Sequence, residues 1–514
     1  MEFQTINERF FKNVIMKKYL NFVLLCVIMN SLVLSNDFSP SQLVSENATP
    51  QNFYPDMTVT EDGTIYVIWV NTTDGGDIYF SKSTDHGVTF SEYVAVNQSP
   101  NQASTIGYNG PKIAERNDTL HVLWSDQRNG YDHTSAFYAR SIDGGITWEE
   151  TQVGHGYGVN FYPELMVTSD GVIHAVFHYF QAGSWAYRHI AHTRSTNGGD
   201  SWSGFKTVSN YTPGEPCDCC PINLHELPNG QLIAGFRNNV SNIRDMFSVQ
   251  WNSSNSSWGN LSPMSYDNYN VSYCPASGPS LVSQDSLIGM AYMTEIDGES
   301  RVYLALSEDL GDTFSVNISM EMTSVTNVYQ NHPSAAITED GNIHVIWEDS
   351  RDNGNILYGV LGSGQNFMTD ISAVNDSMTN SQEMAPNLGT DGEGYLYAVW
   401  VDCRFGRHIR FATTYPIPLS TNNDPTPDKF SISSAYPNPF NPSTQFDLQL
   451  EYASEAQITV YDINGKVVDS IFNGYLEKGY HKIKWQPQSI SGGIYLIKFM
   501  MGAQEKTHKI IYLK

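Results

Sequence analysis

The chain has 514 residues and a formal net charge of −26, with only 28 Lys and Arg residues. So acidic a chain is a poor partner for nucleic acid or an anionic membrane surface, and its charge is typical of a protein that stays soluble outside the cell. The length allows two or three domains, and the frequent aromatic residues and glycines without long helical patterns favour an all-β protein.

The N-terminus predicts export. Met16-Lys17-Lys18 precedes an apolar run from Tyr19 to Leu34. Ser35 follows, and it is a small residue of the kind found at signal-peptide cleavage sites. The run is too short to favour a membrane span, and nothing later resembles one, so stable membrane insertion is not expected. We therefore predict a signal peptide over residues 1–35.

One pattern returns seven times in the next part of the chain: a proline, an apolar strand, a turn, and a second strand that ends in an aromatic residue. The prolines are 52 to 58 residues apart, and each aromatic follows its proline by 13 to 15 residues. Four short strands per repeat of this length predict the blades of a β-propeller over residues 36–416. The prolines are Pro55, Pro111, Pro163, Pro221, Pro279, Pro333 and Pro386, and the aromatics are Trp69, Trp124, Phe177, Phe236, Tyr292, Trp347 and Trp400.

Four of the repeats carry a tight hairpin motif, S-x-D/N-x-G-x-S/T-W/F. Its copies lie at Ser83–Phe90, Ser141–Trp148, Ser195–Trp202 and Ser307–Phe314. The Asp or Asn can cap backbone N–H groups, and the glycine can adopt a backbone angle that other residues avoid. The motif resembles the Asp-box, or BNR repeat, of the sialidase superfamily, whose members are β-propellers. Six blades are usual there, so six is the alternative to the seven counted here.

The ends of the repeat region predict how the ring closes. The seventh repeat has no fourth strand after Thr414, whereas residues 42–47 before the first repeat resemble the fourth strands of the others. We therefore expect the N-terminal segment to complete blade seven and remove an exposed edge.

The C-terminal part of the chain predicts a separate small domain. Residues 417–428 are rich in Pro, Thr and Asn and predict a linker. The YPNPFNP sequence at Tyr436–Pro442 opens residues 429–514, which resemble an Ig-like sorting domain of the type IX secretion system. The resemblance implies a Gram-negative bacterium of the Bacteroidetes or a related phylum, the type IX machinery as a partner, and release to the cell surface or medium.

Polar residues after the second strand of each repeat are the first candidates for a site, because these loops lie on the face opposite the Asp-boxes. Three loops share W-x-D-x-R, and blade four has Arg237, Arg244 and Asp245 instead. Guanidinium groups suit a carboxylate or sulfate, and the sialidase resemblance implies three Arg for the substrate carboxylate. Alternatively, Asp and Arg pair within each loop, which makes Arg237 and Arg244 the better ligand candidates. The three shared pairs are Asp126 with Arg128, Asp349 with Arg351, and Asp402 with Arg404.

A cysteine cluster is the second candidate. Cys217, Cys219, Cys220 and Cys274 should approach the same mouth as His332. Export favours a disulfide between Cys274 and one of the C-x-C-C cysteines. Two alternatives stay open: a soft metal such as Cu or Zn held by these five residues, and a free functional thiol. No other cofactor is expected.

Three functions follow as hypotheses. The first is a glycoside hydrolase of exo-α-sialidase type, or a related glycan-processing protein, acting on acidic carbohydrate. The second is a non-catalytic propeller that binds a glycan or protein, and the third is a metal-binding propeller centred on the cysteines. The F/Y-R-I-P motif that carries the first family Arg is absent from the sequence before the first Asp-box, and no Tyr–Glu nucleophile pair can be named from the sequence.

Overall fold

The structure is a computed structural model, and it divides the chain into two compact units, residues 1–417 and 418–514. It describes residues 38–44, 48–104, 110–153, 158–184, 188–210, 212–296, 298–315, 317–320, 327–351, 354–365, 368–375, 383–404, 406–417, 430–433, 435–450, 453–463, 465–488, 490–501 and 504–514. The predicted signal peptide and nearly all of the predicted linker lie outside these residues.

The described residues of the first unit form seven antiparallel sheets of short strands, one for each sequence repeat. A short N-terminal strand, β1 (Gln42–Leu43), belongs to the last sheet. Blade one contains β2 (Asn52–Val59), β3 (Ile65–Asn71), β4 (Asp77–Ser83) and β5 (Val94–Ala95). Blade two contains β6 (Lys112–Arg116), β7 (Thr119–Asp126), β8 (Ser135–Ser141) and β9 (Glu149–Gln152). Blade three contains β10 (Gly158–Val167), β11 (Ile173–Gln181), β12 (His189–Ser195) and β13 (Lys206–Thr207).

The other four blades repeat this order. Blade four contains β14 (Glu215–Pro216), β15 (Asn223–Glu226), β16 (Leu232–Asn239), β17 (Met246–Asn252) and β18 (Ser257–Pro263). Blade five contains β19 (Ser280–Gln284), β20 (Leu287–Ile296), β21 (Glu299–Ser307) and β22 (Ile318–Ser319). Blade six contains β23 (Gln330–Ile337), β24 (Ile343–Asp349), β25 (Asn355–Leu361) and β26 (Thr369–Ala373), and blade seven contains β27 (Glu383–Thr390), β28 (Leu396–Asp402) and β29 (His408–Thr413).

The blades form a closed ring around one axis. The innermost strands of successive blades contact one another from β2 to β27, and β27 contacts β2 again. The seven repeat prolines line a single central cavity, which places the start of every repeat at the axis. The seven repeat aromatics are at most 1% exposed and form the cores between sheets. The all-β class predicted from the sequence is confirmed.

The N-terminal strand completes blade seven, as the missing fourth strand predicted. Gln42 pairs with Phe411 and Leu43 with Arg410, while Val44 N donates to Ile409 O at 3.0 Å. Val44 and Ala48 are buried in the core between blades seven and one. Residues 45–47 of the predicted strand lie outside the described residues.

The Asp-box hairpins join the third and fourth strands of their blades and hold them by side-chain capping. In blade two, Ser141 Oγ accepts from Gly145 N at 2.8 Å, and Asp143 Oδ1 accepts from Thr147 N at 2.9 Å. Gly145 has a φ of +88°, and a Cβ there would overlap the ring of Phe80 in blade one. Only glycine allows this close approach, and the turn of the motif therefore packs directly against the preceding blade.

The second unit has two sheets that enclose a core around Phe446, Ile458 and Phe499. One sheet has the strand order β30–β31–β34, and the other β33–β32–β35–β36. Alternating buried and exposed residues in β31 are typical of a sandwich strand. The strands are β30 (Phe430–Ile432), β31 (Thr444–Leu450), β32 (Ser454–Tyr461), β33 (Val467–Leu476), β34 (Gly479–Trp485), β35 (Gly493–Met501) and β36 (Gln504–Tyr512).

Among the described residues, no helix combines the length and the apolar character needed to cross a membrane.

Candidate functional site

We call the propeller face opposite the Asp-box turns the mouth. It is formed by the loops between the second and third strands and by the connections from one blade to the next, which an antiparallel meander brings to the same end of every sheet. Residues that precede the repeat prolines line the cavity here, among them Tyr54, Tyr162 and His332. All three have positive φ angles, between 46° and 54°. The strands bulge at these points, which turns the three side chains out of the regular ladder.

Three charged groups from blades one to three meet at the wall of the central cavity. Lys112 Nζ lies 3.8 Å from Asp56 Oδ1 and 3.3 Å from Glu164 Oε2. Burial raises the pKa of Glu164 to about 7, although Lys112 opposes the rise. Asp56 also accepts from Ile113 N and Asn387 Nδ2, both at 2.9 Å. This network crosslinks the inner strands. The positive charge of Lys112 is neutralised by the carboxylates of Asp56 and Glu164.

The three W-x-D-x-R loops form internal ion pairs. Arg128 Nε donates to Asp126 Oδ1 at 2.7 Å, and Nη2 donates to Asp126 Oδ2 at 2.8 Å. Arg351 and Arg404 make the same two-pronged contact with Asp349 and Asp402. The sequence left two alternatives open for these arginines, ligand binding and pairing within the loop. The observed geometry is that of loops held by their own Asp–Arg pairs.

The structure buries the two arginines that the sequence favoured as ligands. Arg237 is 1% exposed, and it donates to three carbonyl oxygens: Ser277 O at 3.0 Å, Arg244 O at 2.7 Å and Met293 O at 2.6 Å. Arg244 is 9% exposed and donates to Val271 O and to Cys217 Sγ. The expectation of guanidinium groups open to a ligand is corrected here, because these donors crosslink blade four to blade five.

Asp245, the carboxylate beside Arg244, accepts instead from backbone. Its oxygens receive the N–H of Tyr269 at 3.2 Å and that of Asn268 at 3.3 Å. Burial raises the pKa of this carboxyl, which Arg237 opposes. Its contacts are those of a loop anchor.

The cysteine cluster contains one disulfide and two thiols. Cys219 and Cys274 form a disulfide. This agrees with the expected pairing of Cys274 with one of the C-x-C-C cysteines. Cys217 and Cys220 are free and buried, with their sulfurs 3.2 Å apart, and Cys217 Sγ lies 3.7 Å from Cys219 Sγ. Hydrogen bonding from Cys220, opposed by burial and aided by Arg244, lowers the pKa of Cys217 to about 7, whereas burial raises that of Cys220.

His332 lies near this cluster but turns both nitrogens elsewhere. Its Nδ1 is 2.8 Å from Glu348 Oε2, and its Nε2 is 3.1 Å from Ala276 O. Of the five candidate metal ligands, two are therefore joined in the disulfide and His332 is engaged with oxygen atoms. A metal at Cys217 and Cys220 remains an untested prediction.

A second group at the mouth was missed by sequence reasoning. Tyr54, Arg407 and Glu348 come from blades one, seven and six. Burial raises the pKa of Tyr54, which Arg407 lowers and Glu348 raises. Glu348 is fixed by Ala385 N at 2.6 Å and by His332. The pre-proline position of Tyr54 was the available signal, whereas Arg407 belongs to no repeat motif.

Arg407 differs from the other arginines of the mouth. Its Nε is buried without a hydrogen-bond partner, and no carboxylate pairs with it among the described residues. Its guanidinium lies 4.3 Å from the centre of the Phe53 ring. An arginine held by an aromatic ring but not neutralised by a carboxylate is suited to an anionic ligand.

The structure also supplies a Tyr–Glu pair that the sequence did not reveal. Tyr273 Oη lies 3.5 Å from Glu295 Oε2 and 3.2 Å from Tyr269 Oη. Tyr273 is 52% exposed, so the pair lies at the outer part of the mouth.

Two family comparisons agree with this architecture. The family described as "BNR repeat-like domain" matches residues 58–224, and "Secretion system C-terminal sorting domain" matches residues 434–513. Part of the propeller, residues 58–224, is therefore similar to a BNR repeat-like domain, and the C-terminal residues 434–513 of the chain are similar to a secretion sorting domain. This tail directs it through type IX secretion to the cell surface or the extracellular space. No curated protein matches the chain in sequence.

Similar solved structures are remote in sequence. A protein of unknown function from Dyadobacter fermentans is 15% identical, with a TM-score of 0.45 over 73% of this chain and 98% of its own. A point mutant of the NanB sialidase from Streptococcus pneumoniae is 13% identical, with a TM-score of 0.42 over 73% of this chain and 70% of its own. An ulvan lyase of polysaccharide lyase family PL25 is 11% identical, with a TM-score of 0.49 over 73% of this chain and 93% of its own.

Proposed function

We propose that the mouth of the propeller binds an acidic sugar and processes it, so that the protein is a secreted glycan-processing enzyme. The observation that carries this proposal is geometric: the Arg407 guanidinium lies 4.3 Å from the centre of the Phe53 ring, next to Tyr54, and His332 Nδ1 lies 2.8 Å from Glu348 Oε2. A guanidinium that no carboxylate of the described residues neutralises, beside groups able to donate and accept protons, is an arrangement suited to an acidic glycan.

Arg407 would hold the carboxylate or sulfate of the sugar. The arginines of the three W-x-D-x-R loops are neutralised, since Arg128, Arg351 and Arg404 each bind an Asp of their own loop, and Arg237 and Arg244 are buried. An anion at Arg407 would also lie beside Tyr54, whose pKa this guanidinium lowers. Binding and proton transfer would therefore occur at neighbouring atoms.

Tyr54 and His332 would move the protons. Glu348 accepts a hydrogen bond from Ala385 N and lies against His332 Nδ1, so it can orient the imidazole and stabilise its charged form. Tyr54 on blade one can act as the acid that protonates a leaving oxygen.

Hydrolysis of exo-α-sialidase type is the finer form of this proposal. It is favoured by Tyr273 and Glu295, a Tyr–Glu pair of the kind that sialidases use as nucleophile. In that case Tyr273, and not Tyr54, would be the residue on which turnover depends most.

A panel of sialylated glycans, uronic acid polysaccharides and neutral arabinan tests these proposals with the purified full-length protein. We expect products from an acidic substrate only, detected by anion-exchange chromatography and by ultraviolet absorbance for unsaturated ends. Arg407→Gln should raise KM about tenfold or more, because it removes a charge-assisted contact. Tyr54→Phe should lower kcat on the order of 100-fold.

The matched control is Arg140→Gln, which removes an arginine that pairs with Glu149 beside the Asp-box turn. It should leave both constants unchanged. Saturable binding of an acidic glycan without any product would favour the non-catalytic binding alternative. The proposal would be contradicted if the protein bound none of the glycans in the panel and turned none of them over. Loss of turnover in Tyr273→Phe but not in Tyr54→Phe would favour sialidase-type hydrolysis.

A further inference from the structure

Four cysteine sulfurs lie in one chain of contacts that runs from the interior to the surface. Cys220 Sγ contacts Cys217 Sγ at 3.2 Å, and Cys217 Sγ contacts Cys219 Sγ at 3.7 Å. Cys219 is bonded to Cys274. Cys217 and Cys220 are each 1% exposed, Cys219 is half-buried and Cys274 is exposed. The reduced pair and the disulfide are therefore adjacent, and only the disulfide end reaches solvent.

The charges around the cluster favour a thiolate over a metal cation. Arg244 Nη1 lies 2.8 Å from Cys217 Sγ, and the buried Arg237 guanidinium lies close enough to stabilise a thiolate at Cys217. Two permanent cations repel a metal ion at this position but stabilise an anionic sulfur, and the thiolate is the form that attacks disulfides.

We propose that these four cysteines form a thiol–disulfide exchange site. In the first step the Cys217 thiolate attacks Cys219 Sγ, the Cys217–Cys219 bond forms, the Cys219–Cys274 bond breaks, and Cys274 leaves as a thiolate. In the second step the Cys220 thiolate attacks Cys217 Sγ, the Cys217–Cys220 bond forms, and Cys219 leaves as a thiolate.

The two steps balance within the chain. The Cys217–Cys220 pair loses two electrons and two protons, and Cys219 and Cys274 gain them, so no external oxidant is consumed. The exchange exposes the Cys274 thiol at the surface. Cys274 can then attack an external disulfide, small or carried by a partner protein, forming a mixed disulfide and releasing one thiolate. The proposal is independent of the glycan-processing function, because none of the four cysteines is assigned a role in it.

Trapping of the released thiol tests the exchange. The exported protein carrying Cys403→Ser, which removes the other free cysteine of the described residues, is incubated under native conditions with N-ethylmaleimide, and the modified peptides are identified by mass spectrometry. We expect maleimide on Cys274, although this residue starts in a disulfide, and glutathione on Cys274 when oxidised glutathione replaces maleimide.

Removal of the nucleophile should abolish this labelling. In Cys403→Ser/Cys217→Ser the disulfide has no attacking thiolate beside it, so Cys274 should stay unlabelled. Cys403→Ser/Cys220→Ser keeps the first step and should still be labelled at Cys274. Because both variants replace a buried sulfur in the same loop, a general loosening of that loop would affect them alike. Unchanged far-ultraviolet circular dichroism and melting curves would show that both are folded.

Four outcomes would overturn the proposal. Cys274 could stay unlabelled in the Cys403→Ser chain while denaturation releases thiols at Cys217 and Cys220. Cys274 could be labelled equally with and without Cys217. Elemental analysis of the exported protein could find one tightly bound zinc or copper per chain, or peptide mapping could find both disulfides already formed, and either finding leaves no free thiolate to attack.

Discussion

Arg237 shows how a residue chosen as a ligand can be part of the scaffold. The guanidinium is fully enclosed, and its donors are matched to carbonyl oxygens from three separate segments. A propeller blade has few covalent links to its neighbour, so such a crosslink between blades four and five contributes to the stability of the ring. Its place outside the W-x-D-x-R loops made Arg237 a ligand candidate, but this place does not distinguish a ligand-binding arginine from a structural one.

Replacement of Arg237 by Ala should therefore destabilise the protein. It leaves three buried carbonyl oxygens without donors, and each unsatisfied group costs about 1–3 kcal/mol. We expect a loss of at least about 3 kcal/mol in the free energy of unfolding, measured by urea denaturation. Arg140→Ala, which removes ion pairs with the exposed Glu149 and Asp200, should cost about 1 kcal/mol or less. An Arg237→Ala protein as stable as this control would show that the carbonyls find water instead.

Buried histidines predict how the propeller responds to acid. His344 is 6% exposed, with Nδ1 2.8 Å from Tyr358 Oη, and burial lowers its pKa to about 4. His121 has the same contact with Tyr138 and the same lowered pKa. The unfolded imidazole takes up its proton near about pH 6.5, so the unfolded state binds more protons between about pH 6.5 and 4. Stability is therefore lost as the pH falls through this window.

Each such histidine should contribute up to about 3 kcal/mol to the loss. We expect the free energy of unfolding to fall between about pH 7 and pH 4.5, and His344→Gln, which cannot take up a proton, to show a shallower fall. The exposed His133 provides the control, since His133→Gln should follow the wild-type curve. A His344→Gln curve parallel to the wild type would contradict this assignment.

At the scale of single elements, strand β1 determines whether the ring is closed. It covers the outer edge of β29, and Val44 and Ala48 bury their side chains in the adjoining core. The sequence indicated the role of β1, because the repeat pattern shows that blade seven has no fourth strand of its own. The second strand of each repeat was equally predictable, since a buried aromatic at a regular interval is a local signal.

Deletion of residues up to 50 should expose the edge of β29 and promote aggregation. We expect light scattering of the deleted chain to rise with protein concentration and its melting temperature to fall. A deletion that ends at residue 37 keeps β1 and should behave as the mature protein does. A monomeric, equally stable protein without residues 38–50 would show that closure does not depend on this strand.

At the scale of the whole molecule, the two units have separate cores. The propeller cores lie between blades, whereas the sorting domain encloses its own core around Phe446 and Ile458. We therefore expect each unit to fold by itself.

A chain that ends at residue 417 should fold into the same propeller. We expect its melting temperature to lie within a few degrees of the propeller transition of the full chain, measured by calorimetry, because no propeller core residue is removed. In the native host the same chain should remain inside the cell, since the sorting tail is missing. Insolubility of the purified propeller would indicate that the units share stabilising contacts.

The sequence by itself determined the repeats, the Asp-box turns, the strand that closes the ring and the sorting domain. These features depend on residues that are close in the chain or repeat at a regular interval, so a local pattern is enough to reveal them. Only the tertiary structure decided that Cys219 bonds with Cys274, that Arg237 is enclosed by carbonyls, and that Arg407 packs on Phe53 while Glu348 accepts from Ala385 N at the mouth. The physical reason is the ring itself, which brings residues from blades one, six and seven together around one axis although they are far apart in the chain.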